Sequence, residues 1–215
     1  MATYRLHGFG RSGNTYKVAM YLAAAGLDWE PVFVSVAAGD TRDPAWRATY
    51  NPMGEIPVLE IGARKLTQSG AILMELADST GHFAAATPED KSEILRWILW
   101  DNHKFTNHFA ARRFIKAFAP QEPQPQVLEW LKVHIDQNLA VLEQHLATRA
   151  YVVGSKPTIA DFSLAGYMYY PTAETGFDLA ATNPNITAWA ARIAKLPGWK
   201  HPYEMLPGGI PKPLR

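Results

Sequence analysis

The sequence predicts a two-domain protein: an α/β domain over residues 1–80 and an all-α domain over 88–215. Three observations carry that prediction. Short β-branched and aromatic runs alternate with a helical pattern in the first third, strand signals stop beyond residue 82, and long amphipathic patterns fill the remainder. The boundary falls near 78–88.

A strand is predicted over 3–7 and a helix from about 14 to 25, with Val18, Tyr21, Leu22 and Ala25 on one face. "PVFVSV" at 31–36 reads as the next strand, completing a βαβ unit. "IPVLEI" and "RKLT" flank Gly62 and Ala63 and read as a tight hairpin. "QSGAILMELADSTG" then forms a helix with Ile72, Leu73 and Leu76 inward and Gly81 as its stop. This βαβ-ββα order is that of a thioredoxin-like domain.

In the second half, Thr87 is a cap, Pro88 suits the first helical position and the acids that follow favour the positive helix end, so a helix is expected from there to about 118. "PQEPQP" breaks the chain. Val127, Trp130, Leu131, Ile135, Leu139, Leu142 and Leu146 mark the next amphipathic helix. Thr158 and Asp161 have the spacing of a reciprocal cap, with Asp in place of the usual Glu, before an almost wholly apolar and hence central helix. Ile186, Trp189, Ala190 and Ile193 mark a last helix before a Pro/Gly-rich tail expected to pack across the surface.

Composition narrows the chemistry. A net charge of +1, with "ARRFIK" as the only local basic concentration, lacks the electrostatic footprint of a nucleic-acid binder. No apolar run reaches the roughly 18 residues of a membrane span, and "MATYRLHGFG" lacks the basic and apolar halves of a secretion signal, so the expected location is the cytoplasm. The absence of cysteine excludes disulfides, thiolate metal sites and a redox-active CxxC, so any sulfur chemistry needs an external thiol.

"NPMGEIPVLE", "LTQSGAILMELA" a few residues later and "YVVGSKPTIADFSL" in the second half together resemble the cytosolic glutathione transferase family over essentially the whole chain. The resemblance implies glutathione as substrate and no metal. It implies a cis Pro57 that turns the backbone of Ile56 toward the cysteinyl part of glutathione, with Gln68 and Ser69 at a helix start that holds the γ-glutamyl carboxylate. Many members carry an acid where Gln68 stands. Thr41 and Glu55 fall where nu-class members carry Gln and Lys to meet the glycine carboxylate. An acid at Glu55 repels that group, which makes Arg42 or Arg11 the alternative cation. Thr158 and Asp161 match a structural feature of the family and are taken as a folding cap.

Only the thiolate of glutathione is a good nucleophile, so a donor must face the sulfur. In the family that donor is a Tyr, a Ser or a Cys early in the chain, and Cys is absent. "RSGNTYKV" resembles the S-x-P-x-R-x-V stretch of theta and delta members, which places Ser12 on the activating serine. It is closer to the T-P-N-G-H-K-[IV] stretch of bacterial nu-class members, where the hydroxyl falls on Ser12 and the amide on Asn14. Ser12 and Asn14 are thus the two catalytic candidates, with Tyr4 and Tyr16 as minor rivals, and the same residues also qualify simply as helix caps.

The acceptor is expected between Ser12 and the first long helix of the second domain, where Trp100, His103, Asn107, His108, Ala111 and Arg112 recur at near-helical spacing. Asp101 and Asn102 match an acid–amide pair that reaches the neighbouring subunit's glutathione in similar bacterial members. The implied protein is a homodimer that joins glutathione to a small hydrophobic electrophile or reduces a disulfide or peroxide. The alternative is a glutathione-binding or protein-interaction module without turnover.

Overall fold

The computed structural model describes residues 3–211. The chain divides into two compact units: the residues up to Ala84 together with Leu196–Pro211, and Ala85–Lys195. The sequence assigns the whole of 88–215 to the helical domain, whereas the structure returns its tail to the first unit. The physical reason is polar as well as apolar: Lys200 offers its carbonyl to Tyr16 Oη at 2.8 Å, and the Gly10 N–H reaches Pro207 O at 2.8 Å. Residues 212–215 of the predicted tail lie outside the described residues.

The first unit is a four-stranded sheet in the order β2-β1-β3-β4. Its strands are β1 (Tyr4–Gly8), β2 (Trp29–Phe33), β3 (Val58–Ile61) and β4 (Arg64–Thr67). β1 runs parallel to β2 and antiparallel to β3, which forms the predicted hairpin with β4. Arg5 lies opposite Glu30 in one register and Glu60 in the other, and its guanidinium reaches them at 2.9 and 2.8 Å. The second strand begins and ends earlier than its apolar run because the chain turns at Ser35, whose N–H donates to Asp40 Oδ2 at 2.6 Å.

Helix α1 (Gly13–Ala24) crosses between the parallel strands. It approaches β1 so closely that a Cβ on Gly8 would lie 2.3 Å from Thr15 Oγ1. Every residue from Thr15 to Leu22 is buried, Lys17 included, so α1 is enclosed on all sides rather than along the single predicted face. α3 (Ser69–Thr80) ends at Gly81, whose φ of 73° needs no Cβ to be accommodated. The polar stretch between β2 and β3, which has no predicted element, folds into a 3₁₀ turn at Asp40–Arg42 and helix α2 (Pro44–Thr49). Asp43 caps α2 by accepting the Ala45 N–H at 2.8 Å, with Pro44 at the first position.

The second unit holds α4 (Pro88–Trp100), α5 (Thr106–Ala117), α6 (Pro125–Leu146) and α7 (Ile159–Ala165), followed by α8 (Thr172–Thr175), α9 (Leu179–Thr182) and α10 (Pro184–Ile193); α11 (Pro202–Met205) belongs to the tail. The predicted helix from Thr87 is a rod interrupted by a π-helical turn at Asp101–Phe105. Asp101 explains the interruption. Its carboxylate is fully buried, accepting from Thr106 Oγ1 and Ser163 Oγ at 2.6 Å each, and Trp100 stacks on Phe105 at 5.6 Å. Both local pairs have i,i+5 spacing, which suits a π turn and not an α-helix. On α6 the leucines and Ile135 are inward as predicted, but Val127 and Trp130 face outward, Trp130 with 57% of its surface exposed.

"ARRFIK" serves as an internal clamp. Arg113 pairs with Glu174 in the interior, Nε at 2.9 Å and Nη2 at 2.5 Å, and lies 3.7 Å from the Tyr170 ring centre. Arg112 and Lys116 donate to the carbonyls of Thr175 and Ala173. The three cations thus satisfy the acid and the last carbonyls of α8.

Asp161 forms the reciprocal cap with Thr158. One carboxylate oxygen accepts the Thr158 N–H at 2.8 Å, and the other accepts the Val152 N–H at 2.9 Å and Trp189 Nε1–H at 2.8 Å. Burial pushes its carboxyl from 3.8 up to about 6, against the opposing pull of these donors. Asp161→Asn turns an amide NH₂ toward the Thr158 N–H and should lower stability at pH 7 by about 2 kcal/mol, or roughly 4–8 °C in Tm. Because the folded carboxyl holds its proton more tightly than the unfolded one, its stabilising contribution is complete below pH 3.8 and is lost as pH rises through about 6. Denaturation at two pH values should therefore find the loss on substitution about 2 kcal/mol larger at pH 4.5 than at pH 7.

Candidate functional site

Two helix N-termini in the first unit carry the predicted residues. Ser12 is the N-cap of α1 with extended backbone, φ −87° and ψ 105°, and its Oγ accepts the Thr15 N–H at 3.1 Å. Asn14 stands in the first turn, half-buried. Ser69 opens α3, buried, and its hydroxyl donates to Asn14 Oδ1 at 3.4 Å. The contact brings the two helix starts together and leaves the Asn14 NH₂ as a donor.

The start of α3 departs from ordinary capping. Gln68 precedes it with φ 68° and ψ 111°, a left-handed conformation rare outside glycine, and makes no side-chain cap. The first N–H groups of α3 are thus left for an anion. The Gln68 side chain instead donates through Nε2 to Glu55 Oε2 at 2.7 Å. Glu55 belongs to a turn held by buried Asn51, which donates to the Glu55 carbonyl at 3.0 Å and accepts the Met53 N–H at 3.0 Å. The Ile56–Pro57 peptide is cis, with Pro57 buried. Among the described residues, no hydrogen bond uses the Ile56 backbone.

Thr41 is buried, and its carbonyl accepts Arg47 Nε at 2.8 Å, so it supports the loop beneath Gly54. Tyr16 is withdrawn as a rival donor, because its hydroxyl lies in the interior on the Lys200 carbonyl. Tyr4 lies in β1, opposite Trp29 and Ile61.

In the second unit the predicted acceptor wall is dispersed. The π turn shifts the helical phase between Trp100 and Thr106, so positions that share a face on a regular helix diverge. His103 and Asn107 are exposed, and Trp100 turns to Phe105. His108 stacks on His134 at 4.9 Å, and burial and that neighbour push its pKa down. Arg112 lies over Phe177 and holds α8, while Ala111 is half-buried on α5. Asp101 is turned inward onto two hydroxyls, which removes it as a group offered to a neighbouring subunit, and Asn102 donates to its own helix at Ile98 O, 2.8 Å.

An apolar surface missing from the predicted set stands beside Ser12. Phe9, whose carbonyl accepts the Ser12 N–H at 3.0 Å, lies under the Arg11 guanidinium. Phe33, at the end of β2, keeps 53% of its surface exposed, and it and Phe9 both face Gly208 of the tail. A strand-end aromatic facing outward was the available signal in "PVFVSV".

Comparison with known proteins finds relatives that match both halves of the chain. Residues 2–77 match the model of the glutathione S-transferase N-terminal domain, and 106–197 match that of the C-terminal domain. The maleylacetoacetate isomerase of Rhizobium meliloti is 32% identical over 213 residues, covering 94% of this chain and 97% of that protein. The crystal structure of a glutathione S-transferase from Pseudomonas fluorescens superposes with a TM-score of 0.82 at 34% identity, over 90% of this chain and 96% of that one. Ure2p5 from Phanerochaete chrysosporium, cocrystallised with 1-(S-glutathionyl)-2,4-dinitrobenzene, does so with a TM-score of 0.80 at 25% identity, over 91% and 90%. With both halves matched in chain order on this fold, the chain belongs to the glutathione S-transferase family.

Proposed function

We propose that the protein binds glutathione and stabilises its thiolate for attack on a hydrophobic electrophile. The observation that carries this reading is how Ser12 is used. Its oxygen accepts the Thr15 N–H, so the cap occupies a lone pair and leaves the hydroxyl hydrogen to donate. A sulfur at that hydrogen stands at the positive end of α1, where thiolate is favoured over thiol. The Asn14 NH₂ is the second donor.

The γ-glutamyl carboxylate fits the uncapped N–H groups of α3 and the Ser69 hydroxyl. Gln68, with its NH₂ committed to Glu55, offers Oε1 to the adjacent ammonium. Glu55 then positions Gln68 instead of meeting the glycine carboxylate, which resolves the repulsion expected of an acid there. The Ile56 backbone pairs with the cysteinyl segment, as in the family. Phe9 and Phe33 supply apolar surface for the electrophile.

In the reaction the thiol proton passes to solvent and the thiolate forms a C–S bond. The leaving group departs with the electron pair of the broken bond, as chloride does from 1-chloro-2,4-dinitrobenzene. The Ser12–Asn14 pair also supports disulfide reduction: the thiolate attacks one sulfur, the other leaves as thiolate, and a second glutathione resolves the mixed disulfide. A homodimer in the cytoplasm belongs to the same proposal. Among the described residues no helix is long and apolar enough to cross a membrane.

Parallel assays of chlorodinitrobenzene conjugation and hydroxyethyl-disulfide reduction test the reading. Ser12→Ala should lower kcat about 10²-fold, the usual loss for one preorganised donor, and Asn14→Ala about tenfold. Glutathione binding without turnover in either assay would identify a binding module instead, and activity indifferent to both substitutions would refute the donor assignment. Gln68→Gly relieves a left-handed backbone and should raise stability by about 1 kcal/mol, while the glutathione KM rises about tenfold from loss of the amide. Thermal denaturation beside initial-rate kinetics reads both effects.

A further inference from the structure

Between β1 and α1 the chain makes a four-residue turn, Phe9–Ser12, and the tail of the first unit reaches back to it. The Gly10 N–H donates to the Pro207 carbonyl at 2.8 Å. Gly10 is buried, and a Cβ there would lie 3.1 Å from Tyr203 Cδ1 and 3.2 Å from the Pro202 carbonyl, so α11 presses directly on its backbone. The next tail residue, Gly208, has φ 105°, and a Cβ there would meet Phe33 Cε2 at 3.3 Å and Phe9 Cβ at 3.6 Å. Lower on α1, Tyr16 Oη holds the Lys200 carbonyl at 2.8 Å. The turn is thus closed by its own Ser12 N–H to Phe9 O bond, tied to α1 through Thr15 N–H to Ser12 Oγ, and held from outside by the tail.

A hydroxyl stabilises a thiolate only within a narrow range of distance and angle. A short turn holds such a geometry when its backbone is fixed from outside as well as by its own helix. We propose that the segment Pro202–Gly208 is a strap that sets the position of Ser12, making Gly10 and Gly208 positioning residues for thiol activation. The two glycines act from opposite sides: Gly10 lets the Pro202 carbonyl and Tyr203 close on the backbone of the turn, and Gly208 lets the strap pass against the Phe9 and Phe33 side chains. The strap holds the turn through a main-chain carbonyl, so side-chain changes at Pro207 leave the contact intact, whereas added bulk at either glycine opens it.

This inference rests on Ser12 as the sulfur donor. Its test is the pH titration of enzyme-bound glutathione, followed through the ultraviolet absorbance of the thiolate, in wild type, Ser12→Ala, Gly10→Ala and Gly208→Ala. Glutathione affinity is measured alongside. The strap predicts that both glycine variants raise the pKa of the bound thiol, leaving three- to tenfold less thiolate at a fixed pH below it, with affinity within twofold of wild type. Should Gly10→Ala fail to fold, Gly208→Ala carries the test, since it acts from the strap side, where its Cβ would press on Phe9 and Phe33. A bound-thiol pKa unchanged in the glycine variants but raised in Ser12→Ala overturns the strap and spares the donor. A titration unchanged in Ser12→Ala overturns the donor, and the strap with it. Loss of glutathione affinity at an unshifted pKa assigns the glycines to fold maintenance and also overturns the proposal.

Discussion

The geometry of the first unit depends on one constraint, the closeness of α1 to the strand it follows. Gly8 lets Thr15 approach to a distance that no side chain permits, and the helix is enclosed from Thr15 through Leu22. Tyr21 anchors its far end, sharing a 2.6 Å hydrogen bond with Thr80 and donating to the His82 carbonyl at 3.1 Å. A helix packed on all sides has little freedom to slide or rotate. Its first turn therefore places Ser12 and Asn14 as rigid features of the core, although both keep partial access to the surface.

Around those residues the backbone departs from its pattern at other helix starts. Some other helices, such as α6 and α10, also start without a side-chain cap, but α3 starts behind a non-glycine residue of positive φ. Such a backbone costs about 1–3 kcal/mol and persists only where its surroundings enforce it. Here the turn held by Asn51 and the Glu55–Gln68 hydrogen bond enclose it. Departures of this kind concentrate where binding has shaped a sequence as much as folding has.

The fold was legible wherever a single helix or strand contained its own signal. Thr87–Pro88, Thr158 with Asp161, the Gly62–Ala63 hairpin and Gly81 each announce an element boundary through local chemistry, and the structure follows them. Asp43–Pro44 announced α2 equally well, but the short polar stretch behind it lacks apolar periodicity. The π turn was illegible for a different reason. It arises from Asp101 meeting Ser163, 62 positions away, and no window along one helix contains that partner. The same tertiary pull re-phased the residues expected to form an acceptor wall. Within the candidate site, the types and spacing of Ser12, Asn14 and Ser69 were readable, while the Asn14–Ser69 contact and the Glu55–Gln68 pairing required the fold to bring distant segments together.

Magnitudes decide what Ser12 is chiefly for. As a cap its oxygen stabilises the helix by about 1 kcal/mol, and α1 has abundant burial to replace that contribution. As a preorganised donor to a developing or bound anion, the same hydroxyl is worth about 3 kcal/mol to the proposed reaction. The two roles do not compete, because they use different atoms: the oxygen lone pair faces the Thr15 N–H and the hydrogen is left for sulfur. The cap also aids the donor, since a backbone N–H bonded to the oxygen polarises the hydroxyl and strengthens the hydrogen bond it gives. On the proposed reading, helix start and sulfur site share one residue, and the capping that fixes the side chain also raises its power to stabilise a thiolate.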